Sequence, residues 1–105
     1  MKSVVRIRTS LLADALRGYI DRRLHATLAP FASRVAQVSV RISDVEGGHG
    51  RRSFSCHAEA EVRPSGGALV EEVHDADLYA AIDLSLDRLG RALQRTLAWG
   101  SELPA

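Results

Sequence analysis

Asp75-Ala-Asp-Leu-Tyr-Ala-Ala-Ile-Asp-Leu-Ser-Leu-Asp-Arg-Leu-Gly-Arg-Ala-Leu-Gln-Arg95 reads as one amphipathic helix. Leu78, Ile82, Leu86, Leu89, Leu93 and Leu97 recur at spacings of three and four, which puts them on one stripe. A short carboxylate at Asp75 or Asp77 can cap the start by accepting from the free amides of the first turn. Arg91 and Arg95 lie toward the negative end of the helix dipole, where cations are favoured. With Arg88 they gather away from the apolar stripe. Gly90 is a weak point, costing about 1 kcal/mol relative to alanine.

Everything before this helix supplies what its stripe covers. Val4-Val-Arg-Ile-Arg8 alternates as a first strand, with Val5 and Ile7 inward and Arg6 and Arg8 outward. Thr9 or Ser10 can cap a first helix that runs to about Ala29, buries Leu16, Ile20, Leu24 and Leu28, and ends at Pro30. Gln37 to Ser43 alternates strictly, turning Val38, Val40 and Ile42 to a core and Gln37, Ser39, Arg41 and Ser43 to water. Gly47-Gly-His-Gly50 is a loop by composition. Phe54 to Val62 alternates again, with Phe54, Cys56, Ala58, Ala60 and Val62 on one side, and Pro64-Ser-Gly-Gly67 is a hairpin turn. Ala68 to His74 is the last strand. Its register is open: either Leu69, Glu71 and Val73 face inward, or a shift by one residue buries Val70.

The order is β-α-β-β-β-α, an α+β fold. The first two strands are parallel through a right-handed helical crossover, and the next two links are hairpins. One-faced alternation in the strands puts both helices on one face of a four-stranded sheet.

Size and composition bound the function. One domain, residues 1–99 with a short tail at 100–105, is the natural division of 105 residues, 46% of them hydrophobic. The single cysteine, Cys56, forms no internal disulfide and points to a reducing, cytoplasmic setting. No apolar run approaches the roughly 18–20 residues that cross a bilayer, and the N-terminus carries no secretory leader. The net charge is only +1, so a nucleic-acid partner requires charges segregated by face. Arginine supplies nearly all the positive charge, with Lys2 the only lysine. That suits bidentate phosphate recognition, and it fits a GC-rich coding sequence equally well.

Enzymatic and metal chemistry find little support. Cys56 and His57 are adjacent in a strand and point to opposite faces, and His49 and His74 complete no zinc spacing. Cys56 reads as a small core residue, with no base in reach to activate it. Asp83 and Asp87 read as a solvated flank, with Asp87 placed to pair with Arg91 one turn on. No cofactor or small-molecule substrate is implied.

The arginines sort by their neighbours. Arg17 has Asp14 and Asp21 at helical contact spacing, and Arg91 has Asp87. Arg22, Arg23, Arg88 and Arg95 have no acid three or four positions away on their own helix. Unpaired arginines on two helices that share one sheet face can form a single positive surface. The opposite face, where His57, Glu59 and Glu61 project, is expected to repel RNA, so the surface belongs on the helical side or at strand ends.

Asp75-x-Asp-Leu-Tyr-Ala-Ala-Ile-Asp83, followed by Asp-Arg-Leu and two further arginines, resembles the second helix of the ribosome hibernation promoting factor family, which includes the ribosome-associated inhibitor and the sigma-54 modulation protein. Asp14-Ala-Leu-Arg-Gly-Tyr-Ile20 is similar to that family's first helix, and Phe31 to Val40 to the strand entry after it. The resemblance implies a fold similar to a double-stranded-RNA-binding domain, with Leu69 and Val73 inward in the last strand. It implies a non-enzymatic stress protein that binds ribosomal RNA of the small subunit in the messenger and transfer RNA channel and blocks translation. By position it assigns rRNA contacts to Arg8, Arg17, Arg23, Arg88, Arg91 and Arg95, and the spacing argument adds Arg22. Ile7 stands where the family often has glycine, and no lysine-rich tail follows the second helix. The missing tail and the low net charge are what speak for the alternative to this reading, a protein-interaction module that kept the fold and lost the ribosome. Self-association is left open.

Overall fold

The computed structural model describes residues 1–9, 13–46, 52–64 and 66–102. In chain order these form β1 (Lys2–Arg8), α1 (Ala13–Leu28), a 3-10 helix (Ala29–Arg34), β2 (Val35–Glu46), β3 (Arg52–Val62), β4 (Ala68–Asp75) and α2 (Leu78–Glu102). The Ser10 cap, the Gly47–Gly50 loop and the last three residues lie outside the described residues. The strands form one sheet in the order β1-β2-β3-β4. β1 pairs parallel with β2, and the two remaining pairs are antiparallel.

Local chemistry sets the element ends. The Asp77 carboxylate accepts from the amides of Tyr79 (2.9 Å) and Ala80 (3.3 Å), which makes it the N-cap of α2. Asp75 in turn accepts from the Asp77 amide at 2.8 Å. Pro30 sits in the first turn of the 3-10 helix, where its missing N–H costs nothing. Between β3 and β4, Val62 donates to Gly67 and Gly66 donates back to Val62, each at 2.8 Å. Gly66 takes φ 76°, a conformation that glycine adopts freely.

Both helices lie on one face of the sheet, and the apolar stripes meet there as one core. Leu16, Ile20, Leu24 and Leu28 of α1 and Leu78, Ile82, Leu86, Leu89, Leu93 and Leu97 of α2 are buried against Val38, Val40, Ile42, Phe54, Cys56, Ala58 and Ala60. Val35 and Val38 both face inward although an odd spacing separates them, because the β2–β3 register shifts between Val35 and Gln37. In β4 the register puts Val73 opposite Cys56 and Leu69 opposite Ala60. Val73 is buried, Leu69 packs on the core, and Val70 is 48% exposed. The open question of the last strand is thereby settled in favour of Leu69, Glu71 and Val73 inward.

Gly90 has a packing reason. A Cβ built on it would stand 2.8 Å from the Thr27 methyl of α1, so α1 leaves no room for a side chain at this position. The propensity cost of glycine remains, and the contact with Thr27 explains why a side chain is not placed there.

Candidate nucleic-acid interface

The seam between the helices is polar and specific. The Tyr19 hydroxyl donates to the Asp83 carboxylate at 2.6 Å, and Arg23 Nε donates to the same oxygen at 3.0 Å. Arg23 Nη2 reaches Asp87 at 3.1 Å. The Tyr19 and Tyr79 rings meet edge to face, 4.8 Å between centroids. The bond to Asp83 raises the Tyr19 pKa, because it favours the phenol over the phenolate. One sequence expectation is extended here and one corrected. Asp83 and Asp87, with side chains 39% and 50% exposed, form a solvated flank as expected and are also the acidic half of an interhelical clasp. Arg23 has no acid on its own helix but finds two on the other.

The remaining arginines divide by what they touch. Arg88, Arg91 and Arg95 are exposed and follow one another at helical spacing along the outer side of α2. Arg22 is exposed on α1. None of these four has an acidic partner among the described residues, so Arg91 is not held by Asp87, which faces Arg23 instead. Arg91 lines a cleft of about 370 Å³ with Thr27, Phe31, Asp87, Gly90 and Gln94. Arg17 is exposed and donates to the Val5 carbonyl at 3.0 Å instead of pairing with Asp14 or Asp21. Arg8 ends β1, exposed, with Ser43 as its register partner.

The sheet face away from the helices is divided by charge. Register carries one row from Arg6 through Arg41 and His57 to Glu72, and the next but one from Lys2 through Gln37 and Glu61 to Ala68. The β1–β2 half is therefore cationic and the β3–β4 half acidic. On the acidic half, Glu72 lies 3.6 Å from His57 and 3.8 Å from His74. The acidic residues on which the expectation of an RNA-repelling face rests are confined to that half. Sequence reasoning had both Arg6 and Arg41 facing water, and only the parallel register sets them side by side.

Cys56 is fully buried, and burial pushes its thiol up to about 11. The Ser85 hydroxyl, also buried, lies 2.9 Å from its sulfur and 3.0 Å from the Ile82 carbonyl. A nucleophile needs the thiolate and a nearby base; this sulfur has neither. Among the described residues no three histidines, cysteines or carboxylates cluster as a metal site. No helix among them is long and apolar enough to cross a membrane.

The family model described as sigma 54 modulation protein / S30EA ribosomal protein matches residues 4–98. The chain belongs to that family. The sigma 54 modulation / S30EA match takes in most of β1, the other three strands whole and most of α2, so the resemblance first carried by Tyr79 to Asp83 extends across the fold. Among solved structures, a ribosomal subunit interface protein from Coxiella burnetii superposes with a TM-score of 0.75 over 93% of this chain and 99% of its own, at 16% identity. The Thermus thermophilus Protein Y N-terminal domain superposes at 0.68 over 91% of this chain and 99% of its own, at 26% identity. No curated protein matches the chain. In the sigma 54 modulation / S30EA fold as built here, Tyr79 and Asp83 serve the helix–helix clasp, while the exposed arginines lie outside it.

Proposed function

We propose that the protein is a cytoplasmic, ribosome-associated hibernation factor that occupies the messenger and transfer RNA channel of the small subunit and acts by occupancy, without catalysis. The observation that carries this reading is the run Arg88, Arg91 and Arg95 on α2 with Arg22 on α1, exposed and free of acidic partners among the described residues. Family membership supports it, as does the subunit interface protein whose fold the chain shares. Guanidinium groups held on a rigid helix can pair bidentately with phosphate oxygens, and contacts of that kind position a protein on RNA without reading its sequence. Arg8 and Arg17 extend the surface at the β1 edge; Arg17 spends one donor on Val5 and keeps the rest of its fork. Arg23 contributes by holding α1 against α2.

The expected outcome is that the protein sediments with purified small subunits and represses translation in a cell-free system. Arg88→Ala with Arg95→Ala is expected to reduce both. A protein-interaction role is the second reading, favoured by the net charge of +1. Repression that persists in a variant unable to sediment with small subunits would select it.

A further inference from the structure

Arg6 and Arg41 are register partners on adjacent parallel strands, both exposed on the sheet face that carries no helix. Like charges directly opposite each other in a sheet repel and destabilise it. Neither has an acidic partner among the described residues, and the next residue in the row is His57, whose carboxylate contact is Glu72 on the far side. A juxtaposed pair of this kind becomes favourable when an anion sits between the two guanidinium forks. Lys2 adds a third cation on β1, four residues from Arg6, or about 13 Å along a strand. Together with Val4, Gln37, Ser39, Val40 and, at the β3 edge, His57 and Glu59, these side chains line a trough of about 400 Å³.

We infer that this β1–β2 trough is a second RNA-backbone site, distinct from the helical face, in which Arg6 and Arg41 clamp one phosphate and Lys2 meets another further along the strand direction. The amide of Gln37 and the hydroxyl of Ser39 offer neutral donors to phosphate and sugar oxygens between them. The Glu59 carboxylate lines the trough at its β3 edge and Glu61 and Glu72 lie beyond it, so the RNA lies along β1 and β2 and not across the sheet. RNA is the better occupant than an acidic protein segment. Protein hot spots centre on Trp, Tyr and Arg in desolvated pockets; among the described residues the trough has no Trp, Tyr or Phe, and its two arginines are exposed. With the helical face on one RNA segment and the trough on another, the protein bridges two. The site itself stands on the register of Arg6 and Arg41; only the source of its RNA in the cell rests on the ribosomal reading.

The test is fluorescence anisotropy with labelled decauridylate across a salt series. Each phosphate contact on a single strand contributes about 0.7 to the slope of log affinity against log salt. Arg6→Gln with Arg41→Gln removes the contact with the one phosphate they share and is expected to flatten that slope by about 0.7, so that between ~50 and ~200 mM salt the wild type loses roughly 2.6-fold more affinity than the variant. Should the double variant not fold, each single change is expected to remove about half of that difference. The same loss is expected when Arg88→Gln and Arg95→Gln are already present, because the sites are separate. A wild type that does not bind decauridylate at ~50 mM salt, a slope unchanged in the Arg6/Arg41 variant, or tighter binding of decaglutamate than of decauridylate overturns the inference. None of these results touches small-subunit binding by the helical face, which fails or stands on its own variants.

Discussion

Thr27 of α1 packs directly over Gly90 of α2, with the Thr27 methyl only 2.8 Å from the place a Cβ on Gly90 would occupy. Two effects of similar size then oppose each other. Alanine at a helix interior gains about 1 kcal/mol over glycine, while overpacking a tight contact costs about 1–3 kcal/mol. The Thr27 methyl cannot swing away freely, because a β-branched side chain has few rotamers in a helix. Gly90→Ala is expected to lower stability in the wild type. In a Thr27→Ala background the same change is expected to raise it by about 1 kcal/mol. Chemical denaturation of the four proteins of this cycle checks the sign reversal.

The Arg23 clasp predicts a division between arginines that hold the fold and arginines that do not. Arg23 and Asp83 are each about one-third exposed, at 33% and 39%, so solvent screens their pairing. Arg23→Ala is nevertheless expected to cost roughly 1 kcal/mol, because it also strips partners from Asp83 and Asp87. Arg88→Ala, Arg91→Ala and Arg95→Ala are expected to leave the melting temperature nearly unchanged. Thermal unfolding of the single variants measures the contrast.

The strands and both helices were legible from the sequence because each has a strong period: alternation in Val38 to Ile42 and Phe54 to Val62, and the three-four stripe from Leu78 to Leu97. What lay hidden depends on contacts between elements. Spacing on one helix pairs Asp87 with Arg91, but α1 brings Arg23 to the same carboxylate and wins it. Alternation turns Arg6 and Arg41 outward, but only the parallel register makes them neighbours. Gly90 looks like a flaw on an isolated helix and becomes a contact once Thr27 is placed over it. The exposed arginines of the candidate surface were within reach for the opposite reason: Arg22, Arg88 and Arg95 have no such neighbour to redirect them among the described residues.

Cys56 gives the fold an alkaline signature. Its ordinary pKa of 9.0 is pushed to about 11 by burial, so the folded state holds the proton more tightly than the unfolded one. The resulting stability is fully present below pH 9 and is lost as pH rises toward 11, on the order of 2–3 kcal/mol in all. Tyr19 works in the same direction, since its bond to Asp83 also favours the protonated form. Cys56→Ala is expected to flatten the fall in stability between pH 9 and 11, whatever its cost at neutral pH. At pH 7 the native thiol is expected to react with a thiol reagent far more slowly than in denaturant, and fast native labelling would contradict its burial.

The measurement that tests the ribosomal reading most directly is the affinity of the protein for purified small subunits across monovalent salt at fixed magnesium. About half a dozen phosphate contacts predict a loss on the order of a thousandfold between ~50 and ~200 mM, by analogy with duplex DNA. Arg88→Ala with Arg95→Ala is expected to weaken binding and flatten the slope, while Glu59→Gln with Glu61→Gln leaves affinity no weaker than wild type. Binding that ignores salt, or that survives loss of the α2 arginines unchanged, would contradict the account.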